Sequence, residues 1–180
     1  MPYLKQRFLA VLIAAGATVG LDQWTKQLAL EYLEGEPDIF YFGELFRLTF
    51  VRNEGAFLSL GADFGPVLRT ILLEGFPALL LVALLIYIFR SAELDRWQTV
   101  ALALIVGGGL SNIIDRLQYG HVVDMMHMKV GSLQTGIFNV ADMGIMAGMF
   151  MMIPYVFRRE QSAEEGTPEE DSDSTVRVEA

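Results

Sequence analysis

Four long apolar stretches dominate the pattern of hydrophobic and polar positions along the chain, over about 8–30, 67–89, 97–114 and 138–157. The first is dense to Leu21 and then broken by Asp22 and Lys26, and the second is interrupted near its start by Arg69 and Glu74. A helix needs roughly 20 residues to cross the hydrocarbon core of a bilayer. Each stretch meets that length if its polar end sits at an interface or in a protein-lined cavity. The helices of a soluble bundle would carry polar faces, and LLLVALLIYIF and MGIMAGMFMMIPYVF have none. The pattern predicts an all-α membrane protein with four transmembrane helices. Lys5 and Arg7 ahead of the first stretch resemble the start of a signal peptide, but no small-residue cleavage site follows cleanly, so an uncleaved first helix is expected.

The longer connections are about 31–66 and 115–137. Within the first, LFRLTFV at 45–51 partly alternates apolar and polar, which predicts a short strand or hairpin at the membrane surface. A small β-rich extracytoplasmic segment therefore joins the four helices in the expected fold. Basic residues set the orientation: Lys5 and Arg7, Arg90 and Arg96, and Arg158 and Arg159 all fall on one side, which the positive-inside rule assigns to the cytoplasm. Both termini are then cytoplasmic and the unusual polar residues lie on the outer side. Gly16 and Gly20, Gly107–Gly109, and Gly144 with Gly148 are expected to let helices one, three and four pack closely in lipid.

Composition fits this reading once the charge is located. The chain has 180 residues, 53% of them hydrophobic, and a mean hydropathy of +0.39, too apolar for an ordinary soluble domain. The net charge of −9 is concentrated after the last apolar stretch, where residues 158–180 alone carry −5. The expected organisation is one helical domain over 1–158 and an acidic, disordered cytoplasmic tail over 159–180. There is no cysteine, which excludes disulfides, thiolate metal sites and cysteine nucleophiles.

Ionisable groups at membrane depth are costly and mark interiors or wet cavities. Asp22 and Lys26 stand four residues apart on one helix face, the spacing of an ion pair. Asn112, Asp115 and Arg116 close helix three, where Asp115–Arg116 reads as a helix-end pair. Asp142, near the start of an otherwise apolar helix and one turn after Asn139, reads on its own as a cap. Buried charges also mark ion pathways, so a small proton- or metal-ion-handling transporter is the competing function. His121, Asp124 and His127, with methionines 125, 126, 128, 143, 146 and 149 nearby, form the competing metal set.

Taken in order, LDQWTK, VRNEGAF, GGGLSNIIDR, VVD and FNVAD resemble the motifs of the lipoprotein signal peptidases, or signal peptidase II, aspartyl proteases of bacterial inner membranes. The resemblance covers about residues 22–142. It implies that Asp124 and Asp142 are the catalytic pair, that Asn112, Arg116, Asn139 and Ala141 position the site, and that Asn53 and Gly55 face the substrate. Asp22, Lys26 and Asp115 would be architectural. It implies a diacylglyceryl prolipoprotein as substrate, cut before the lipidated cysteine, and sensitivity to cyclic depsipeptide inhibitors. A monomer in membrane lipid with no cofactor, no metal and no nucleic acid is expected. Three positions depart from the family pattern: the aromatic of Asn53-Glu54-Gly55-Ala56-Phe57-Leu58 comes one place early, Ser111 stands where glycine is common, and Met143 where serine is common.

Overall fold

A computed structural model describes residues 2–55 and 65–164. The chain runs α1 (Pro2–Tyr32), β1 (Ile39–Tyr41), β2 (Phe46–Asn53), α2 (Pro66–Thr70), a π-helical turn (Ile71–Gly75), α3 (Phe76–Arg90), α4 (Arg96–Tyr119), β3 (Val122–Val130), β4 (Leu133–Gln134) and α5 (Val140–Glu164). Four helical segments are long and apolar enough to span a membrane: Tyr3–Tyr32, Val67–Arg90, Arg96–Tyr119 and Val140–Phe157.

The distribution of side chains is that of a protein whose solvent is lipid. Phe8, Leu12, Ile13, Leu79 and Phe150 face outward, whereas Asp22, Lys26 and Asp115 are inside. Half of the apolar window of α4 is buried, against 11% for each of the other spans, so α4 is the central helix. α4 runs past its expected end at 114 to Tyr119 and stops at Gly120, whose φ of 75° is the left-handed conformation of a glycine cap. The extra turn carries Asp115 and Arg116 inside the helix. α5 likewise continues beyond 157 to Glu164; residues 165–180, and with them most of the acidic tail, lie outside the described residues, as do Ala56, Phe57 and Leu58.

The second span is one helical path with a π turn in it. Pro77 has no N–H to offer the carbonyl one turn earlier. The Phe76 N–H bonds Ile71 O, an i→i−5 contact that lets the helix continue past the proline. At the start of the same path Pro66 occupies the first helical turn, where a missing N–H costs nothing.

The strands form one antiparallel sheet in the order β1-β2-β3-β4. The predicted 45–51 strand is β2, and its partner is β3, with Val51 opposite Asp124 and Asn53 opposite Val122. The β2–β3 register shifts between Leu48 and Val51. Val123 and Met125 pack on Ala29 and Leu33, which fastens the sheet to the end of α1.

The glycines divide into two groups. A Cβ at Gly107 would lie 2.8 Å from Ala15 Cα, one at Gly109 2.9 Å from Leu81 Cδ2, and one at Gly144 2.7 Å from Thr18 Cγ2. At Gly108 and Gly148 it would collide with the carbonyls of Ala141 and Ala101 across the α4–α5 contact. Gly16 and Gly20, expected to be equivalent, meet nothing within 4 Å, so helix one approaches its neighbours through Ala15 and Thr18 instead. Gly108→Ala should therefore destabilise the protein by about 1–3 kcal/mol, the usual cost of overpacking, while Gly16→Ala should be close to neutral. Thermal unfolding in detergent measures both.

Candidate active site

The buried polar cluster begins with one ammonium between two carboxylates. Lys26 Nζ lies 2.6 Å from Asp22 Oδ2 and 2.8 Å from Asp115 Oδ2, and donates to Asn112 Oδ1 at 3.0 Å. Asp22 and Asp115 are fully buried and Lys26 is 2% exposed. The expected Asp22–Lys26 pair exists, but it is shared across helices, and Asp115 pairs with Lys26 rather than forming an ion pair with its neighbour Arg116. The remaining lone pairs are taken by donors from other elements. Ser111 Oγ donates to Asp22 Oδ2 (2.7 Å) and the Ala141 N–H to Asp22 Oδ1 (2.8 Å). Gln23 Nε2 donates to Asp115 Oδ1 (2.7 Å) and the Val123 N–H to Asp115 Oδ2 (3.0 Å). One charge cluster thereby joins α1, α4, α5 and the start of β3. Buried charges are tolerable only when paired and hydrogen-bonded in this way.

Asp124 and Asp142 sit directly against that cluster. Asn139 precedes α5 and caps it: its Oδ1 accepts the Asp142 N–H at 2.9 Å, and its own N–H donates to Asp142 Oδ2 at 3.2 Å. This reciprocal pair is a capping box. Asp142 therefore has the capping geometry that its sequence position suggested. Its other oxygen accepts from Asn112 Nδ2 at 3.0 Å. Asn139 Nδ2 donates to Asp124 Oδ1 at 2.7 Å, and Asn53 Nδ2 to Asp124 Oδ2 at 2.8 Å. All four carboxylate oxygens have a donor, and one residue, Asn139, touches both acids.

Arg116 reaches the site through the backbone. It makes no ion pair with either aspartate; its guanidinium donates to Asn112 O (3.2 Å) and Gly55 O (2.8 Å). The Gly55 N–H in turn donates to Asn53 Oδ1 at 3.0 Å, an Asx-type turn. Arg116 thus fastens the turn that aims Asn53 at Asp124. Gln23 and Ser111 are cluster members that motif reading did not single out as functional. Ser111 was visible only as a departure from glycine, and Gln23 only as a polar neighbour of Asp22.

Burial raises the Asp124 carboxyl from its ordinary value to about 6; the Asn53 hydrogen bond opposes this and the nearby charge of Asp142 adds to it. The histidine set does not assemble, since among the described residues no three His, Cys, Asp or Glu side chains converge on a metal position. Burial and then the charges of Arg47 and Lys129 lower the proton affinity of His127, which lies opposite Arg47 across the sheet. Met143, Met146 and Met149 face outward from α5.

Comparison with known proteins places this geometry. The profile described as Signal peptidase (SPase) II matches residues 13–158, which include every residue of the cluster. The chain belongs to the signal peptidase II family. Members of this family are aspartic peptidases. The chain is 41% identical over 143 residues to the lipoprotein signal peptidase of Treponema denticola, covering 77% of this chain and 82% of that one. It is 33% identical over 165 residues to that of Borrelia duttonii, covering 88% and 96%. The fold is shared with two solved structures, each described as a bacterial membrane enzyme structure obtained by the in meso method. One has a TM-score of 0.75 at 23% identity, covering 88% of this chain and 93% of that one. The other has a TM-score of 0.70 at 25% identity, covering 81% and 91%.

Two expectations follow for the cluster. Lys26→Met leaves Asp22 and Asp115 buried without their cation, and should cost about 3–5 kcal/mol, read as a collapse of folded yield or of the unfolding temperature. Asp124 behaves oppositely. Its folded-state pKa lies above its unfolded value, so its contribution is most favourable at low pH and is lost as pH rises through about 6. Asp124→Asn should therefore gain stability relative to the parent as pH rises from about 4 to about 7, by up to about 3 kcal/mol in all, measured as a widening gap in unfolding temperature.

Proposed function

We propose that Asp124 and Asp142 are the catalytic pair of a peptidase acting on diacylglyceryl-modified prolipoproteins, and that it cuts just before the lipidated cysteine. The observation that carries this is the position of Asn139, whose side chain and backbone hold one oxygen of each acid. Two carboxylates held by the same residue, one by its side-chain amide and one by its backbone N–H, share one compartment, and neighbouring like charges favour a single shared proton. The ionised member takes a proton from water as it attacks the scissile carbonyl, and the neutral member donates to the carbonyl oxygen or the departing nitrogen. Their titration belongs to the pair, and the roles of acid and base stay unassigned between them. Asn112, Asn139 and Asn53 act as positioning residues through their hydrogen bonds to the acids. Arg116 acts through Gly55, and the Ala141 N–H holds the start of α5 to Asp22.

The end of the bundle that carries Lys5, Arg7, Arg90 and Arg96 is cytoplasmic on this reading, and the aspartate end faces outward. Apolar outer faces on the helices flanking the cluster let a diacyl substrate reach it sideways, its tails remaining in lipid. The chain acts as a monomer, and cyclic depsipeptides that inhibit the family would occupy the same cleft. In detergent without added metal, the purified protein should cleave a diacylglyceryl prolipoprotein. Asp124→Asn and Asp142→Asn should each lower the rate by on the order of 10²–10⁴-fold while leaving the protein folded. Full activity in either variant would refute the assignment, and loss on chelation with recovery on adding metal would restore the histidine reading.

A further inference from the structure

α1 and α4 run in the same direction. Arg7 meets Leu94 near their starts, Ala15 and Thr18 pack on Gly107 midway, and Lys26 meets Asp115 beyond. Their first turns therefore stand side by side, at the end of the bundle away from Asp124 and Asp142. A cavity of about 680 Å³ lies between them, within the size range of small-molecule sites. Its two parts differ in chemistry. Arg7, Asp95 and Arg96 line the part beside the helix starts, and Leu9, Ala10 and Ile13 line the part further along α1. Leu9 and Ile13 are exposed on an apolar membrane span, so the second part opens sideways toward acyl chains.

The charged part holds a buried cation. Arg7 is 4% exposed, and it donates to Ile88 O (2.6 Å), Leu94 O (2.7 Å) and the Ser91 carbonyl. The Tyr3 ring lies over its guanidinium, 4.0 Å from carbon to centroid, and its Nε is buried without a hydrogen-bond partner. Carbonyls and a ring face answer most of its N–H groups but cancel none of its charge. Arg96 is exposed at the same cavity. Among the described residues, neither arginine has a carboxylate within ion-pair distance. Asp95 is bound to its own helix, where Oδ1 accepts the Gln98 N–H at 2.8 Å as the N-cap of α4. A carboxylate accepts several hydrogen bonds, so capping does not end its capacity. The lining thus presents two cations and one anion, beside an apolar channel.

We propose that this cavity binds one phospholipid whose headgroup joins a phosphate to a primary ammonium, as in phosphatidylethanolamine. The phosphate lies against Arg96 in the field of Arg7, which a buried cation without a counter-charge favours. Asp95 accepts from the ammonium, and one acyl chain follows Leu9, Ala10 and Ile13 along α1. Both signs of charge at one mouth select this headgroup. A purely anionic one would leave Asp95 facing negative charge, and a quaternary amine has no N–H to donate to it. The lipid belongs to the leaflet away from Asp124 and Asp142, so this site is separate from the one that holds the two acids.

Native mass spectrometry of the full chain tests this, with phosphatidylethanolamine, phosphatidylglycerol and phosphatidylcholine of matched acyl chains supplied in equal amounts. The ethanolamine lipid should be retained about threefold over either competitor. Asp95→Asn keeps an N-cap of similar quality and should abolish that preference, whereas Arg96→Gln should lower retention of the ethanolamine and glycerol lipids alike. A phosphatidylethanolamine carrying a diazirine in its acyl chain should label the peptide that holds Leu9, Ala10 and Ile13, and Ala10→Trp should suppress the label. Unfolding temperatures in detergent check that each variant is folded, and the competition and labelling of the unsubstituted protein decide the matter if one is not. Equal retention of the three headgroups, a preference that survives Asp95→Asn, or label spread evenly over the four spans overturns the proposal.

Discussion

The rest of the structure depends on the ammonium of Lys26 held between Asp22 and Asp115. In a lipid-embedded bundle, apolar surface gives helices little reason to choose one another, because the surrounding acyl chains are just as apolar. A buried cation with two buried anions gives α1 and α4 such a reason, and the same carboxylates reach the first turn of α5 through Ala141 and the first residues of β3 through Val123. The positions of Asp124 and Asp142 descend from this anchor, since one sits beside Val123 and the other beside Ala141. Asn112 accepts from Lys26 and donates to Asp142, so one amide side chain joins the anchor to the acid beside it.

Much of this was legible in the residues. The four spans follow from uninterrupted apolarity, and β2 from the alternation in LFRLTFV. The grouping of Asp22, Lys26, Asn112, Asp124, Asn139 and Asp142 follows from motif order together with a topology that returns each to the same end. What could not be read was partner choice. Asp115 lies next to Arg116 in the chain, yet the α-helix turns their side chains roughly 100° apart, toward different neighbours. Asp115 meets Lys26 and Arg116 meets Gly55. The π turn was hidden as well, because Pro77 announces a disruption without saying whether the helix will break, kink or change register. Gly16 and Gly20 carry the spacing of a packing face, but spacing alone does not say which face has a neighbour.

Asp142 shows two readings of one residue to be compatible. A helix start has unsatisfied N–H groups, and a carboxylate at its third position is well placed to help satisfy them. The capping box uses one oxygen of Asp142 and leaves the other to Asn112. The local requirement of the helix therefore fixes the rotamer that the site needs. Asn139 extends the economy, because the residue that caps α5 through its side-chain oxygen uses its side-chain nitrogen on Asp124. A carboxylate oriented by helix termination needs no separate loop to hold it still.

The register shift in the sheet has a further consequence. Side chains on a strand alternate between faces, so a one-residue slip would turn Asn53 and Asp124 away from each other. The irregularity between Leu48 and Val51 divides the β2–β3 ladder into an inner part that carries this pair and an outer part that ends in the hairpin. A bulge absorbs an odd residue locally. Insertions or deletions in the outer hairpin can therefore be accommodated there without re-phasing the inner rungs, which makes the sheet a place where lineages can diverge in length while the acid keeps its bearing.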